Sequence, residues 1–366
     1  MKITEDRRTG ALISVAAVVV VIFGMQAASV FLVPFLLALF IALITVRPML
    51  WLQSRRVPSV VAAMLIVLAV MLVLGLVVTI LGTRIADFTS ALPGYQARLN
   101  TIFDQALELA ARYFADGQSV ESLGDLIDPG WVMGLAGQLL NSLRDVLTNA
   151  LLIMFTVIFI LLEASGFGVK IQASLGQSGR TIEQGREFVA NLGRYLRIKT
   201  VVSLATGVCA WLATMWIGLD FPLLWGMFAF LLNYIPTIGS IIAAVPAILM
   251  ALVQLGVGDA VWTLVAFGAI NVVFGNVIEP RMMGYGVGLS PLIVFVGLFF
   301  WGWVFGPVGM LLSVPLTMTM KMALESDENT RWIAILIGSQ GDAEHELVLR
   351  RRAEVAQRDQ DTGGLP

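Results

Sequence analysis

Long apolar runs separated by short polar connections dominate this chain of 366 residues. A helix needs roughly 20 consecutive apolar residues to cross a bilayer, and several runs approach that length. Six membrane spans are predicted, at residues 11–28, 30–46, 58–82, 146–162, 200–219 and 261–278. The first two form a tight hairpin behind Arg7 and Arg8. Because this apolar block is about twice as long as one crossing requires, it is not expected to be a cleaved signal peptide.

Two further apolar segments, 221–255 and 289–323, repeat the same pattern of proline and glycine 69 residues apart. Each arm holds only about 14 to 18 residues, which is short for a crossing, so the pattern predicts re-entrant helical hairpins or pairs of short helices. Duplicated segments of this kind indicate the binding site of a secondary transporter. The prolines at the ends of the segments are Pro222, Pro246, Pro291 and Pro315, and the interruptions in the middle are Pro236, Gly239, Gly306, Pro307 and Gly309.

Composition supports a membrane protein, since 58% of the residues are hydrophobic, 13% are charged and the mean hydropathy is +0.87. The predicted fold is an all-α polytopic membrane protein with about six full transmembrane helices and two broken hairpins, or about eight membrane segments. A formal net charge of −2 gives no basic excess for nucleic acid. With one cysteine (Cys209) and one histidine (His345), neither a disulfide nor a metal site is expected.

The distribution of Lys and Arg predicts the orientation, because short connections rich in these residues stay on the cytoplasmic side. Connections 47–57 and 165–199 are basic and are placed inside, whereas 84–145 has an acidic excess and is placed outside. Both termini are then cytoplasmic, in the inner membrane. On this count the first hairpin enters from outside and the second from inside, so the two form inverted repeats.

Five regions are expected along the chain. The segment 84–145 has amphipathic helical spacing, and the segment 180–198 combines an apolar face with arginines suited to lipid headgroups, which favours an interfacial helix over a solvated linker helix. A short amphipathic piece is expected near 332–337. The regions are an N-terminal three-helix part (1–83), an outer helical segment (84–145), the fourth span with the interfacial helix (146–199), a transport core (200–323) and a cytoplasmic polar tail (324–366).

Specific motifs in the C-terminal half resemble those of the AI-2E family of autoinducer-2 exporters and related transporters. They are Asn233-Tyr234-Ile235-Pro236-Thr237-Ile238-Gly239, Ile278-Glu279-Pro280-Arg281 and Gly306-Pro307-Val308-Gly309-Met310. The resemblance covers nearly the whole chain. It implies a homo-oligomeric secondary transporter of the bacterial inner membrane, with some members assigned to autoinducer-2 export and others to sodium or lithium/proton antiport. Ser240 departs from the pattern, because a second proline is expected there.

The hairpin tips are the predicted solute site. Proline removes a backbone donor and glycine permits a sharp turn, so each tip exposes peptide groups that must face protein or a water-filled cavity. Nearby amides and a hydroxyl extend this polar surface, although an Asn in a span often only bonds a neighbouring helix. The candidate substrate-binding residues are Asn233, Pro236, Gly239, Ser240, Asn271, Asn276, Gly306, Pro307 and Gly309, and the candidate hinges are Pro222, Pro246, Pro280, Pro291 and Pro315.

Glu279 is the strongest ionisable candidate, because a carboxylate at the end of span six is costly unless it is paired. A proton-coupled carrier needs such a group. The alternative is that Glu279 and Arg281 form an ion pair at headgroup level that only fixes the helix end. Asp220 and Asp259 flank the first hairpin, where an interfacial role competes with attraction of cations.

Three functions therefore stay open: export of a small polar signal such as autoinducer-2 by alternating access, sodium(lithium)/proton antiport, and a channel-like pore. The expected partners are a small polar solute or a monovalent cation and protons, the lipid bilayer and further copies of the chain. No cofactor is expected. The absence of a Gly-Lys-Ser/Thr sequence excludes an ATP-driven pump as a single-chain function, and no catalytic constellation suggests an enzyme.

Overall fold

A computed structural model describes residues 2–113, 148–175, 179–236, 238–283, 288–327, 329–341, 343–344 and 347–348. Within these ranges the regular structure is helical and contains no strand. The chain divides into two compact units, Met1–Glu279 and Pro280–Pro366. The boundary between the units falls inside the transport core that the sequence analysis draws from 200 to 323.

Helices account for nearly all of the described residues of the first unit. They are α1 (Lys2–Ala27), α2 (Ser29–Ser54), α3 (Ser59–Tyr113), α4 (Ala150–Leu175), α5 (Gly179–Ile217), α6 (Pro222–Leu232), α7 (Ile238–Gln254) and α8 (Val257–Asn271). A π-helix, Val272–Ile278, continues directly from α8 and leads into the short α9 (Glu279–Met283). The second unit contains α10 (Pro291–Leu311), α11 (Ser313–Glu325) and α12 (Arg331–Ile337). The last of these confirms the short helix expected near 332–337.

Five helices in the described part of the chain are long and apolar enough to cross a membrane: Ser29–Ser54, Ser59–Ile102, Gly185–Ile217, Val257–Met283 and Pro291–Leu311. Shorter apolar helices cover Ala16–Ala27, Ala150–Glu163, Pro222–Leu232 and Ile238–Gln254. These helices confirm the class predicted from hydropathy, a helical protein that passes through the membrane several times.

Helices α2, α3 and α4 pack through small residues. Ala38 and Ala42 of α2 and Ala62 of α3 are almost completely buried together with Leu161 of α4. Many large apolar side chains lie on the outside instead, among them Phe31, Leu72 and Phe159. In a bilayer, small residues let helix backbones approach closely, whereas large apolar side chains are stable against lipid. In this part of the unit, alanines therefore face inward beside larger residues such as Leu161, and other large apolar side chains face outward.

Helix α3 is longer than the predicted third span, 58–82. It continues without a break past residue 83 into the predicted outer segment, 84–145, and ends at Tyr113. Its 55 residues extend about 80 Å, well beyond the roughly 30 Å of a hydrocarbon core. The outer half is held by contacts with the first hairpin, since Leu99 packs against Val253 and Phe88 contacts Trp225 edge-on. The same continuity occurs in α5, where the segment expected to lie at the interface and span five form one helix.

The first hairpin consists of α6 and α7, joined by a tight turn at Asn233–Pro236. Its arms meet at Gly239, where an added Cβ would overlap the carbonyl oxygen of Leu232 and lie 2.9 Å from the Cβ of Ile235. Only glycine permits this approach of the two backbones. The interruption that the sequence analysis places here is confirmed as the turn of a helical hairpin.

The second hairpin turns at Gly306, whose φ of 67° and ψ of −154° break α10 into two helical pieces. A Cβ at Gly309 would overlap the carbonyl oxygen of Trp301 and lie 2.9 Å from the Cβ of Phe305. Further from the tip, Trp301 Nε1 donates to Thr317 Oγ1 at 3.1 Å and joins the two arms. A glycine close to the tip thus makes the same backbone contact in both hairpins.

Candidate functional site

Helix α5 presents a stripe of polar side chains to the protein interior. Lys199, Ser203, Thr206 and Thr214 are all at most 6% exposed. Their spacing of four, three and eight residues keeps them on one helical face. Neighbouring Val201 and Leu204 point outward and are more than half exposed. The polar face of this span is therefore turned away from lipid.

Two glycines bring α5 and the first arm of the hairpin into backbone contact. A Cβ at Gly207 would lie 2.8 Å from the carbonyl oxygen of Gly226, and a Cβ at Gly226 would lie 2.8 Å from that of Gly207. Because neither residue has a side chain, the backbones of the two helices come into direct contact. This close packing sets the polar stripe of α5 directly against the hairpin.

The tip of the first hairpin is hydrogen-bonded to this stripe. Asn233, which is 8% exposed, donates from Nδ2 to Ser203 Oγ at 2.9 Å. Tyr234 donates from its hydroxyl to Thr200 Oγ1 at 2.7 Å. The Asn233 amide therefore makes the bond to a neighbouring helix that the sequence analysis weighed against solute contact, and its position is fixed by that bond.

A small cavity lies between α5, the two hairpin arms and α8. It is lined by Thr206, Ala210, Ala229, Asn233, Ser240, Ala243, Phe267, Ile270 and Asn271. The hydroxyl of Thr206 is buried at this cavity without a hydrogen-bond partner. A buried polar group without a partner costs free energy, so this oxygen is available to a bound molecule. The enclosed space has room for about one water molecule.

Helix α8 ends at the cavity residue Asn271 and continues directly as a more widely wound helix. Val272–Ile278 forms a π-helix, and the backbone N–H of Glu279 bonds to the carbonyl oxygen of Phe274, five residues earlier. Pro280 follows at once, has no N–H and crowds the preceding turn, which gives a cause for the wider winding. π-Helical turns occur frequently at functional sites.

Glu279 at the end of the π-helix pairs with Lys199 of α5. Lys199 Nζ donates to Glu279 Oε1 at 2.6 Å, and the two side chains are 5% and 17% exposed. Lys199 lies two turns before Thr206, or about 10 Å along the helix axis. The structure therefore gives Glu279 a partner on another helix, whereas Arg281, named as its partner in the sequence analysis, is exposed.

The open end of the first hairpin is tied together by Asp220. Its backbone N–H donates to Gln254 Oε1 at 2.8 Å, which connects the start of α6 with the end of α7. Its carboxylate accepts a hydrogen bond of 2.7 Å from the Tyr95 hydroxyl of α3, and its carbonyl oxygen accepts one of 2.8 Å from Trp225 Nε1. Asp220 thus has a structural role at this end, and Asp259 lies in the first turn of α8.

The structure brings together three of the predicted substrate-binding residues, Asn233, Ser240 and Asn271, at the cavity. Asn276 is exposed, Pro236 is half-buried in the turn and Gly239 is buried where the arms meet. Gly306, Pro307 and Gly309 form the tip of the hairpin in the second unit. The prolines named as hinges lie in three kinds of position. Pro222 and Pro291 begin helices α6 and α10. Pro246 and Pro315 are buried within α7 and α11, and Pro280 is exposed.

Sequence reasoning missed the contribution of α5. Lys199, Ser203 and Thr206 were not singled out, although Ser203 and Thr206, three residues apart within the predicted span 200–219, gave a visible signal. A polar stripe inside a predicted transmembrane helix must face protein or a cavity, since lipid offers no hydrogen-bond partner. Spacing alone therefore selects Ser203 and Thr206, whereas Lys199 precedes the predicted span and lies in a basic stretch.

An apolar set of helices that encloses a polar stripe, a broken hairpin and a small cavity defines a multi-pass membrane protein with a polar interior. The model for "AI-2E family transporter" matches residues 12–328 of this chain. The chain belongs to this family, and it is a transporter and not an enzyme.

Curated relatives cover nearly the full length. The chain is 39% identical over 326 residues to the AI-2 transport protein TqsA of Escherichia coli (strain K12), a match that covers 89% of this chain and 94% of TqsA. It is 37% identical over 336 residues to a putative transport protein of Haemophilus influenzae, covering 90% and 97% of the two chains. It is 34% identical over 340 residues to the putative transport protein YhhT of Escherichia coli (strain K12), covering 92% and 97%.

Proposed function

We propose that this protein is a secondary transporter of the bacterial inner membrane that exports a small polar signal such as autoinducer-2. The observation that carries the proposal is the cavity beside the tip of the first hairpin, where the Thr206 hydroxyl has no partner. Thr206, Asn233, Ser240 and Asn271, four of the nine residues that line it, carry a hydroxyl or an amide, the kinds of group that hydrogen-bond a hydroxylated solute. The relative TqsA is named as an AI-2 transport protein.

The cavity in its present form is too small for such a solute, so transport requires the hairpin to move. Movement of α6 and α7 away from α5 would break the bond from Asn233 to Ser203 and widen the space beside Thr206. The two hairpins, with their matching tip glycines, are then the moving parts of inverted repeats that open in turn to the two sides of the membrane. Both termini lie in the cytoplasm in this scheme, and the protein acts as a homo-oligomer.

Sodium or lithium exchange for protons is the second candidate function. The buried pair of Lys199 and Glu279 favours it, because a carboxylate that exchanges a lysine partner for a proton is a suitable coupling group. The cavity also has room for a dehydrated monovalent cation, and its oxygen atoms are suitable ligands. A pore that does not alternate is the remaining possibility, distinguished by flux that never saturates with solute.

Accumulation of labelled autoinducer-2 in inside-out membrane vesicles tests the proposed site. Replacing Thr206 by Val removes the hydroxyl and is expected to lower the initial rate at low solute about fivefold, the equivalent of one hydrogen bond of about 1 kcal/mol. Thr214→Val is the matched control. Thr214 is buried on the same helix, but its hydroxyl donates to the Ala210 carbonyl at 2.8 Å and does not line the cavity.

The outcomes separate the site from the solute. Equal rates for Thr206→Val and the wild-type protein would place the solute elsewhere. A wild-type protein that accumulates no autoinducer-2 but moves sodium against an imposed pH gradient would replace the first function by the second. In that case Glu279→Gln should abolish the exchange, because the group that takes up the proton is gone.

A further inference from the structure

Three arginines from two helices meet at one end of the first unit. Arg47 lies near the end of α2, directly after the apolar run 30–46, and Arg194 and Arg197 lie on α5, directly before the apolar run 200–217. The three lie near one another, because α5 packs at Gly193 against Leu43 of α2, one turn before Arg47, and the charges of Arg47 and Arg194 both act on Arg197. Like charges repel, and a cluster of this kind is stable only beside an anion or in water.

Gly193 lies next to the Arg197 guanidinium in this cluster. A Cβ at Gly193 would lie 3.1 Å from Arg197 Nη1 and 3.8 Å from the carbonyl oxygen of Leu43 on α2. The Arg197 side chain therefore turns back along α5 by one turn, away from the apolar run that follows it. This is the direction a long cationic side chain takes to bring its charge to headgroup level. The missing side chain at Gly193 makes room for the guanidinium between the two helices.

None of the three arginines has a protein carboxylate as its partner in the part of the chain that the structure describes. The ion pairs there join Arg84 with Asp87, Arg112 with Glu108, Lys170 with Glu163, Lys199 with Glu279, and Lys321 with Glu325. Arg47 and Arg194 are exposed, and Arg197 is partly buried. The cluster thus offers up to three fork-shaped donors in one place.

The surroundings of the cluster are those of a lipid interface. Leu50 and Trp51, one turn beyond Arg47, are about half exposed, as is Val201, one turn beyond Arg197. Trp51 also carries the guanidinium of Arg55 over its ring at 5.1 Å, and tryptophan is typical of the headgroup level. An anion bound by the arginines would therefore lie next to apolar surface that suits acyl chains.

We propose that Arg47, Arg194 and Arg197 form a binding site for the phosphate of an anionic phospholipid, held between α2 and α5. Guanidinium groups bind phosphate oxygens in pairs, and basic pockets between transmembrane helices take up anionic headgroups. The bound lipid joins α5, which carries the polar stripe of the cavity, to α2, which packs against α3 and α4. The site is separate from the cavity and from the Lys199–Glu279 pair and does not depend on which solute is carried.

Native mass spectrometry of the full-length protein in detergent tests this site. Phosphatidylglycerol and phosphatidylcholine with the same acyl chains are titrated separately, so that the difference in binding reports the headgroup charge. The variant Arg47→Gln/Arg194→Gln/Arg197→Gln is expected to lose at least about tenfold in phosphatidylglycerol binding, since each basic residue near a membrane surface contributes about 1 kcal/mol. Binding of phosphatidylcholine should stay the same.

A charge-matched control is available on α3. Replacing Arg84, Arg98 and Arg112 by Gln removes the same total charge, and it should leave the preference for phosphatidylglycerol intact. If both triple variants lose binding equally, total charge and not a site is responsible, and the proposal is wrong. The same holds if the first triple variant binds like the wild-type protein.

Inorganic phosphate distinguishes a lipid site from a general anion site. Millimolar phosphate should not displace phosphatidylglycerol, because the free ion lacks the acyl chains that contact the apolar surface, and effective displacement would overturn the lipid assignment. Should the triple variant fail to fold, Arg47→Gln alone serves as the test. Arg47 is exposed near the end of α2. Its loss should weaken phosphatidylglycerol binding about threefold to fivefold, and unchanged binding would count against the site.

Discussion

Lys199 and Glu279 form the buried ion pair on which the stability of the first unit depends. Their charges are buried together, so each is stable only while the other is present. Removing one partner of a buried pair typically costs about 3 to 5 kcal/mol, because an uncompensated charge remains behind. Exposed pairs contribute about 0 to 1 kcal/mol, since water already solvates both groups.

Replacing Lys199 and Glu279 singly and together should therefore show strong coupling. Glu279→Gln and Lys199→Gln are each expected to destabilise the protein by several kcal/mol, whereas the double variant should lose less than the sum of the two. The free energy of unfolding is measured by denaturant titration in detergent micelles. The matched control is the exposed pair of Glu163 and Lys170, for which Glu163→Gln should change stability by less than about 1 kcal/mol. Additive losses at Lys199 and Glu279 would contradict the pair.

Individual residues were predictable from the sequence only where their chemistry was unusual for their surroundings. Glu279 stood out as an acid at the end of an apolar span, and Asn233 and Asn271 as amides within one. Lys199 did not, because it follows several arginines in a basic stretch that is typical of a surface connection. Only the packing of α5 against the π-helix shows that this lysine is buried.

At the scale of elements, the two hairpins depend on glycines where their arms cross. At Gly239 and Gly309 an added methyl group would overlap the backbone carbonyl of the opposite arm, at Leu232 and Trp301 respectively. Backbone cannot move aside as a flexible side chain can. The arms must therefore separate if either glycine is replaced.

Gly239→Ala and Gly309→Ala are each expected to destabilise the protein by about 2 kcal/mol or more and to reduce transport strongly, as overpacking of a tight contact does. Thermal unfolding in detergent and solute accumulation in vesicles measure the two effects. Gly258→Ala and Gly268→Ala are the controls, because no atom lies within 4 Å of an added Cβ at either position. Both lie in α8, where alanine should be neutral or stabilise the helix by up to about 1 kcal/mol. Equal effects at all four positions would contradict the crossing contact.

Elements were predicted well where local chemistry determines them. Proline and glycine identified both hairpins, because these signals act within a few residues. Hydropathy identified a helix at each of the six predicted spans, but only four of these helices are, over their described residues, long and apolar enough to cross a membrane, since those at 11–28 and 146–162 are among the shorter apolar helices. The π-helix at Val272–Ile278 was not predictable, since one wider turn leaves the apolar character of the span unchanged. The continuity of α3 past residue 83 was also missed: its outer half is stabilised by distant partners such as Val253 and Trp225, which no local pattern reveals.

For the whole molecule, the distribution of charged residues along the sequence predicts the orientation in the membrane. The basic connections 47–57 and 165–199 and the acidic excess of 84–145 predict one orientation, in which the first hairpin is expected to enter from outside and the second from inside. Alternating access by inverted repeats depends on this arrangement, because each hairpin must open its own side. If both hairpins entered from the same side, the chain could not work in this way.

Cysteine labelling decides between these arrangements. The chain has one native cysteine, Cys209, so Cys209→Ala gives a background for labelling. In this background Ser240→Cys reports the tip of the first hairpin, and Leu311→Cys, five residues beyond the turn at Gly306, reports the second hairpin. A membrane-impermeant maleimide should reach position 240 from outside and position 311 from inside, with Arg98→Cys and Arg55→Cys marking the two compartments. Labelling should slow when solute is bound, because the occupied tips are shielded. If both tips react from one compartment with and without solute, the inverted arrangement and the alternating-access mechanism built on it are wrong.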